Sequence, residues 1–467
     1  MERLGPIDRA LLGLETDCQM MHVLAVAVIE PDPGVPRHAL FERFQQRVDD
    51  RLPLVPALGR TLAETGGING PVWIDDEDLD ITRHVLRTSL PAPGDLTALA
   101  EAVGVLASSP LERDKPLWEF WFVDGLAGGE IAIVCKVHHA VLDGVTGVAS
   151  LALFFDLEAQ PPVTPPLERH PEAAPSTYEL AREAVGSTLE WAASLPRAVP
   201  HLVGFLGELV GMRAEDEAAV PMQAPKLAMN GSLGPTRQVS LLQVARSDLD
   251  EVRAETGGTL NDIIVTVCAG ALRRYLLERD ELPDRPLVAA IPVAEHEDPD
   301  HPSGNHFGTM FFALPVHLDE PLDRLEFVSR SARVAKTVHE RSGRGSLAAL
   351  LGLAPAALLK APMAVVSRLG LIARIPTPIN LVISNVPGSR VPLFLDGGRV
   401  SDIFPMGPLF EGCGMNLTVV SYVDRVGFGF QACRETVDDL EFLAAAVPEA
   451  VRELRKAVDR PEPGPPA

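Results

Sequence analysis

The residues best suited to chemistry are His138 and His139, in the run His138-His139-Ala140-Val141-Leu142-Asp143-Gly144. Imidazole has an unperturbed pKa of about 6.5, so a histidine can take a proton from a hydroxyl nucleophile near neutral pH. Adjacent residues at a strand end point to opposite sides. Only one of the two rings can face a given cleft, so they have separate tasks. Asp143 can turn back in the loop to fix a ring tautomer or buttress the backbone, and Gly144 permits a tight turn before a helix that begins near Val145. Taken alone, the segment leaves other readings open. Both rings could be core or loop residues. A metal site would need a third ligand group nearby, and opposed neighbours chelate poorly. A hydrolase would need a nucleophile, but no Gly-x-Ser-x-Gly elbow occurs and Cys135 lies in a buried apolar pattern.

The elements that must position this segment follow from hydrophobic periodicity. Residues 22–29, 117–123 and 130–137 read as strands, and 37–50 and 96–109 as helices. Residues 160–235 differ in kind. Six prolines between 161 and 175 mark an extended linker, a helix follows over roughly 178–212, and 214–235 is acidic and irregular. The second half restarts the pattern. Strands are predicted at 237–244, 286–293, 307–318, 380–385, 399–404, 414–424 and 425–432, and helices at 247–256, 261–278, 321–341 and 438–456. Strands and helices mix without strict alternation, which predicts two α+β domains. The expected boundaries are 1–160 for the first lobe, 161–235 for the connection, 236–457 for the second lobe and 458–467 for a disordered tail.

Composition narrows the partners. With 46% hydrophobic and 22% charged residues over 467 positions, the chain can bury a sizeable core. Its 41 basic and 64 acidic residues give a net charge of −23, a poor match to nucleic acid. Five widely spaced cysteines without a CxxC argue against a zinc knot or disulfide framework, and Cys135 and Cys268 read as small core residues. No signal peptide is evident, and no uncharged apolar stretch reaches about 18 residues. The expectation is a cytoplasmic protein that meets a membrane only at its surface.

The histidine segment resembles the HHxxxDG signature of the CoA-dependent acyltransferase superfamily. Further stretches are similar to the bacterial wax ester synthase/acyl-CoA:diacylglycerol acyltransferase family. They include Leu4-Gly5-Pro6-Ile7-Asp8, Leu14-Glu15-Thr16, Met21-His22-Val23 and Pro116-Leu117-Trp118-Glu119. In the second half they are Asn261-Asp262, Gly304-Asn305, Ser384-Asn385-Val386-Pro387-Gly388, Pro405-Met406-Gly407-Pro408 and Leu417–Tyr422. They occur in the family's order from residue 4 to about 450.

The resemblance implies two chloramphenicol-acetyltransferase-like lobes, each a mixed sheet flanked by helices, with the active-site channel between them. It implies His139 as general base, with His138 and Asp143 in supporting positions. The substrates would be a long-chain acyl-CoA and either diacylglycerol or a long-chain alcohol, with no cofactor and no metal. The site would act from the inner membrane surface or a lipid body. Alternative readings are transfer to another hydroxyl acceptor or from an acyl carrier protein, or a catalytically quiet lipid-binding protein.

An acyl transfer also needs donors for the developing oxyanion. Asn261 is suited to this, and its other reading is a helix N-cap with Asp262 in the first turn. Trp118 is either a core residue or part of an acyl tunnel. Ser421 and Thr418 are hydroxyl candidates. The family's Pro-Val-Ser-x-Arg is replaced by Pro292-Val293-Ala294-Glu295-His296, which removes a serine and an arginine. Acyl-CoA is polyanionic, so a chain of this charge requires a local basic patch. Arg330, Arg333 and Lys336 fall near one helical face, just before the apolar stretch 346–372. The segment 330–372 is either a contact for CoA or headgroup phosphates, or a solvated helix face.

Overall fold

The computed structural model describes residues 1–142, 147, 150–162, 165, 167–212, 219, 222–294, 307–341 and 376–459. Asp143, Gly144, the helix start near Val145, Glu295, His296, Gly304, Asn305, the stretch 346–372 and the tail from 460 lie outside the described residues.

Two six-stranded sheets carry the fold. The first is built around β2 (His22–Glu30), β5 (Val85–Ser89), β6 (Trp118–Asp124) and β7 (Ile131–His138). All of β7 is buried, as expected for a strand covered on both faces. Its odd-numbered residues, Ile131, Ile133, Cys135 and Val137, pack with Leu40, Phe44 and Val48 of helix α2 (Arg37–Arg51). Ala132 and Val134 on the other face pack with Leu99, Ala100 and Val103 of helix α3 (Leu96–Ala107).

The second sheet contains β8 (Arg237–Ala245), β9 (Leu287–Ala294), β10 (Phe307–Leu314), β11 (Leu381–Pro387), β14 (Met415–Tyr422) and β15 (Arg425–Cys433). Their order is β10-β9-β11-β14-β15-β8, with β9, β11 and β14 parallel. Helix α6 (Leu260–Glu278) is apolar nearly all round, so it is buried against this sheet together with helix α8 (Leu440–Val458). Cys268 lies in this core and Cys135 in the first.

Residues 394–406 fall within the segment 236–457, yet their strands join the other sheet. Strands β12 (Phe394–Leu395) and β13 (Gly398–Met406) complete it in the order β12-β13-β2-β7-β6-β5. Strand β13 pairs antiparallel with β2, from Arg399 opposite Glu30 to Met406 opposite Leu24. It crosses so close to β15 that a Cβ at Gly427 would lie 2.1 Å from the Ile403 carbonyl oxygen, and one at Gly429 2.0 Å from that of Pro405. Bare glycines let the two backbones touch, and this contact joins the lobes.

Residues 55–90, unassigned from the sequence, form short strands and 3-10 turns. Strands β1 (Glu2–Arg3), β3 (Arg60–Ala63) and β4 (Val72–Asp75) make a small sheet of order β1-β4-β3. Described residues of the proline-rich connection are tied to that sheet. Arg169 donates to the Asp76 carbonyl at 2.8 Å, and the Glu172 N–H donates to Asp75 at 2.9 Å. It leads into helix α4 (Thr177–Met212), close to the expected 178–212. Among the described residues no helix is long and apolar enough to cross a membrane.

Candidate active site

His138 ends β7 and His139 follows it. Both backbones are held by segments that the sequence singled out. The His138 N–H donates to the Leu117 carbonyl at 3.0 Å, and the His139 N–H to the Met21 carbonyl at 2.7 Å. The two rings diverge in environment. His138 is 1% exposed, whereas His139 is only partly buried.

The Nδ1 of His138 accepts the Ala140 N–H at 3.0 Å, which in the neutral ring leaves the proton on Nε2. That Nε2 lies 3.5 Å from Oε1 of Glu15, the residue after helix α1 (Pro6–Leu14). Arg113 bonds the other carboxylate oxygen at 2.5 Å. Burial alone would raise the Glu15 carboxyl. His138 and Arg113 outweigh it and hold the group well below the usual carboxylate range. On the neighbouring strand, His22 pairs across from His138 and places its Nε2 3.7 Å from the same Glu15 oxygen. Burial, with Lys136 and His138 nearby, pushes the His22 ring well below its ordinary value, so it is neutral. Lys136, also fully buried, donates to the Ser109 carbonyl at 2.6 Å. Behind the partly exposed His139 thus lies a packed set of charged and polar groups.

The second lobe brings another pair together. Asn385, in the C-terminal half of β11, donates through Nδ2 to Oδ1 of Asn261 at 3.2 Å. Both are half-buried. Because Asn261 accepts through its oxygen, its amide nitrogen keeps donors for another group. Asn261 is not the helix cap. Thr259 caps α6 and forms a capping box with Asp262, whose carboxylate accepts the Thr259 N–H at 3.0 Å. This corrects the cap reading of Asn261, and Asp262, 8% exposed, is engaged in the cap in the first turn of the helix.

Trp118 fits the core reading of the two that the sequence left open. It is 0% exposed, its Nε1–H donates to the Leu58 carbonyl at 2.7 Å, and it stacks on His84 at 4.3 Å. It packs in the core of the first lobe. Thr418 gives its hydroxyl proton to Asn416 Oδ1 at 2.7 Å, and Asn416 also accepts the Gly407 N–H. Ser421 is half-buried near the end of β14. Its carbonyl oxygen would lie 2.4 Å from a Cβ at Gly388, which explains the glycine in that turn. On helix α7 (Pro321–Arg341), Arg333 and Lys336 are exposed, and Arg330 pairs with Glu326 one turn earlier.

Sequence reasoning did not assign roles to Glu15, Arg113 or Gln19. Gln19 joins the loop after α1 to the second half of the chain, accepting the Glu411 N–H at 2.6 Å. The one available signal was that Glu15 and His22 lie in motif stretches. Their meeting at His138 depends on the β2–β7 register.

Two mixed sheets, a strand pair carried from the second half into the first sheet and a histidine pair at the end of a central strand define an acyltransferase-like, two-lobed fold. Similar folds occur in a wax ester synthase/diacylglycerol acyltransferase from Marinobacter aquaeolei VT8 and in the first condensation domain of the calcium-dependent antibiotic synthetase. The first has a TM-score of 0.71 and 24% identity, covering 98% of this chain and 100% of that one. The second has a TM-score of 0.57 and 14% identity, covering 98% and 97%. Residues 4–264 match the wax ester synthase/diacylglycerol acyltransferase catalytic domain, and 303–455 the C-terminal domain of the same family. A Mycobacterium tuberculosis protein named as a diacylglycerol O-acyltransferase is 33% identical over 462 residues, 98% of this chain and 91% of its own length. The chain belongs to the wax ester synthase/diacylglycerol acyltransferase family.

Proposed function

We propose that the protein moves a long-chain acyl group from acyl-CoA to the hydroxyl of diacylglycerol, giving triacylglycerol. Long-chain alcohols are a second acceptor class, giving wax esters. His139 is the general base. The observation that carries this assignment is the divergence of the two rings: His138 is buried and engaged with Ala140 and Glu15, while His139 is partly exposed.

In this reaction His139 takes the acceptor hydroxyl proton as the oxygen attacks the thioester carbonyl. Charge collects on the carbonyl oxygen of the tetrahedral intermediate. The carbon–sulfur bond then breaks, and the departing sulfur takes the proton back from His139. Asn261, oriented by Asn385, is suited to donate to the oxyanion, and Ser421 is a second candidate donor. Asp143 and Gly144 would shape the loop after the pair. Arg333 and Lys336, with Arg330 beside them, would meet the CoA phosphates. The enzyme would work peripherally, at the inner membrane surface or a lipid body.

The test is acyl transfer from labelled palmitoyl-CoA to diacylglycerol or hexadecanol. His139→Ala should lower turnover about 10²–10⁴-fold, the usual contribution of a positioned base. A wild-type signal no greater than that of the variant on both acceptors would defeat the assignment.

A further inference from the structure

A cavity of about 220 Å³ lies between helix α1, the small sheet β1-β4-β3 and helix α4. Leu4, Arg9, Asn69, Pro71, Val72 and Trp191 are among its walls. None of these residues belongs to the groups gathered around His138 or Asn261. The turn that carries Asn69 is held in shape by its own bonds. The Thr65 hydroxyl donates to the Gly70 carbonyl at 2.8 Å, and the Gly67 N–H donates to Thr65 Oγ1 at 3.1 Å. Gly67 presses on α4, where a Cβ would lie 3.0 Å from Ala184.

Two arginines reach this cavity, and their surroundings differ. Arg3 forms ion pairs with both Glu183 and Glu190. Arg9, half-buried on α1, has no hydrogen-bond or ion-pair partner for its side chain among the described residues, and its Nε is fully buried. Burial and the nearby Arg3 charge push its guanidinium below the ordinary value, against a pull from Asp8. A cation drawn out of water without a partner is costly, so buried charges are normally paired. Asn69 is a second unmet group. It is 7% exposed, it spends Nδ2 on the Ser187 carbonyl at 2.7 Å, and its Oδ1 has no partner among the described residues.

We propose that this cavity binds a small organic monocarboxylate, with its carboxylate on the Arg9 guanidinium. Three features select that class. The planar guanidinium fork matches a carboxylate, and the pair forms charge-assisted hydrogen bonds. Glu183 and Glu190 stand in the same walls and would repel a second negative charge, which disfavours a dianion. Leu4, Pro71, Val72 and Trp191 give an organic group apolar surface to cover. Size sets the upper limit. Pockets for drug-sized ligands run to roughly 300–1,000 Å³, so this smaller cavity suits a short carboxylate rather than a long acyl chain. The site therefore lies outside the path of the proposed reaction and does not depend on it.

The test is calorimetric titration of the full-length protein with butyrate, 1-butanol and inorganic phosphate, with tryptophan fluorescence read in parallel. Butyrate should bind saturably, at one site per chain, and change the emission. Arg9→Gln should weaken that binding about tenfold or more, as the loss of a hydrogen bond to a charged group implies. Arg9→Lys, which keeps the charge but not the fork, should lose less, and it carries the comparison if Arg9→Gln fails to fold. Trp191→Phe should keep the binding heat and lose the fluorescence change. Absence of saturable butyrate binding by wild type overturns the proposal, as does equal affinity in wild type and both Arg9 variants. Equal affinity for 1-butanol removes the role of the carboxylate, and tighter binding of phosphate than of butyrate assigns the wrong anion; either result overturns it. A fluorescence change that persists in Trp191→Phe places butyrate elsewhere and overturns it as well.

Discussion

Oε1 of Glu15 lies 3.5 Å from Nε2 of His138, and Arg113 holds the other oxygen of the same carboxylate. The carboxylate faces the proton-bearing nitrogen of the buried ring, whose other nitrogen accepts a backbone N–H. Glu15 therefore fixes the orientation of His138, and through it the backbone from which His139 projects.

Glu15→Gln should lower kcat roughly ten- to hundredfold with little change in the KM for acyl-CoA, because displacing a reacting group by about 1 Å can cost about 10²-fold. Steady-state kinetics with palmitoyl-CoA check this, and an unchanged kcat would remove Glu15 from the positioning role. The same group carries a stability signature. Its folded pKa lies below the unfolded value of about 4.3, so its contribution is complete above that pH and is lost as pH falls toward the folded value. The stability gap between wild type and Glu15→Gln should shrink in acid.

His22 gives a second pH signature. Its folded ring stays neutral, while the unfolded chain takes up a proton below about pH 6.5. Stability is therefore full above that pH and declines as pH falls below it. His84, also lowered, first by burial, adds in the same direction. Urea midpoints measured from about pH 7 to pH 5 should fall more steeply for wild type than for His22→Gln. Parallel slopes would refute the buried neutral ring.

Asn261 and Asn385 should act as a unit. Each single change to Ala should reduce kcat by about tenfold, since a neutral donor at a developing oxyanion is lost or misdirected. The double variant should fall little further, because residues that share one hydrogen bond are coupled. Fully multiplicative effects would show that the 3.2 Å contact has no part in the reaction.

Trp118→Phe should cost about 1–3 kcal/mol of stability by leaving the Leu58 carbonyl without its donor, with no change in the KM of long-chain acyl-CoA. A shift in that KM at unchanged stability would return Trp118 to the substrate path.

Much of this protein is determined by local sequence. Helix α6 follows from an unbroken apolar run, and β7 from a buried strand pattern ending in two histidines. Adjacent strand residues face opposite ways, so the two rings had to meet different surroundings; that much needed no structure. Tertiary structure decided the rest. The short strands β3, β4 and β5 have four or five residues each, too few to display a period. Residues 394–406 carry no mark of lobe membership, since strand pairing depends on backbone partners that can come from anywhere in the chain. The contacts of Glu15 with His138, and of Asn385 with Asn261, span 123 and 124 positions. Only a fixed register across packed elements can bring such residues within 4 Å. Composition and periodicity thus specify which elements form and which faces they bury, while the long-range pairing of those elements decides which polar side chains meet at the site.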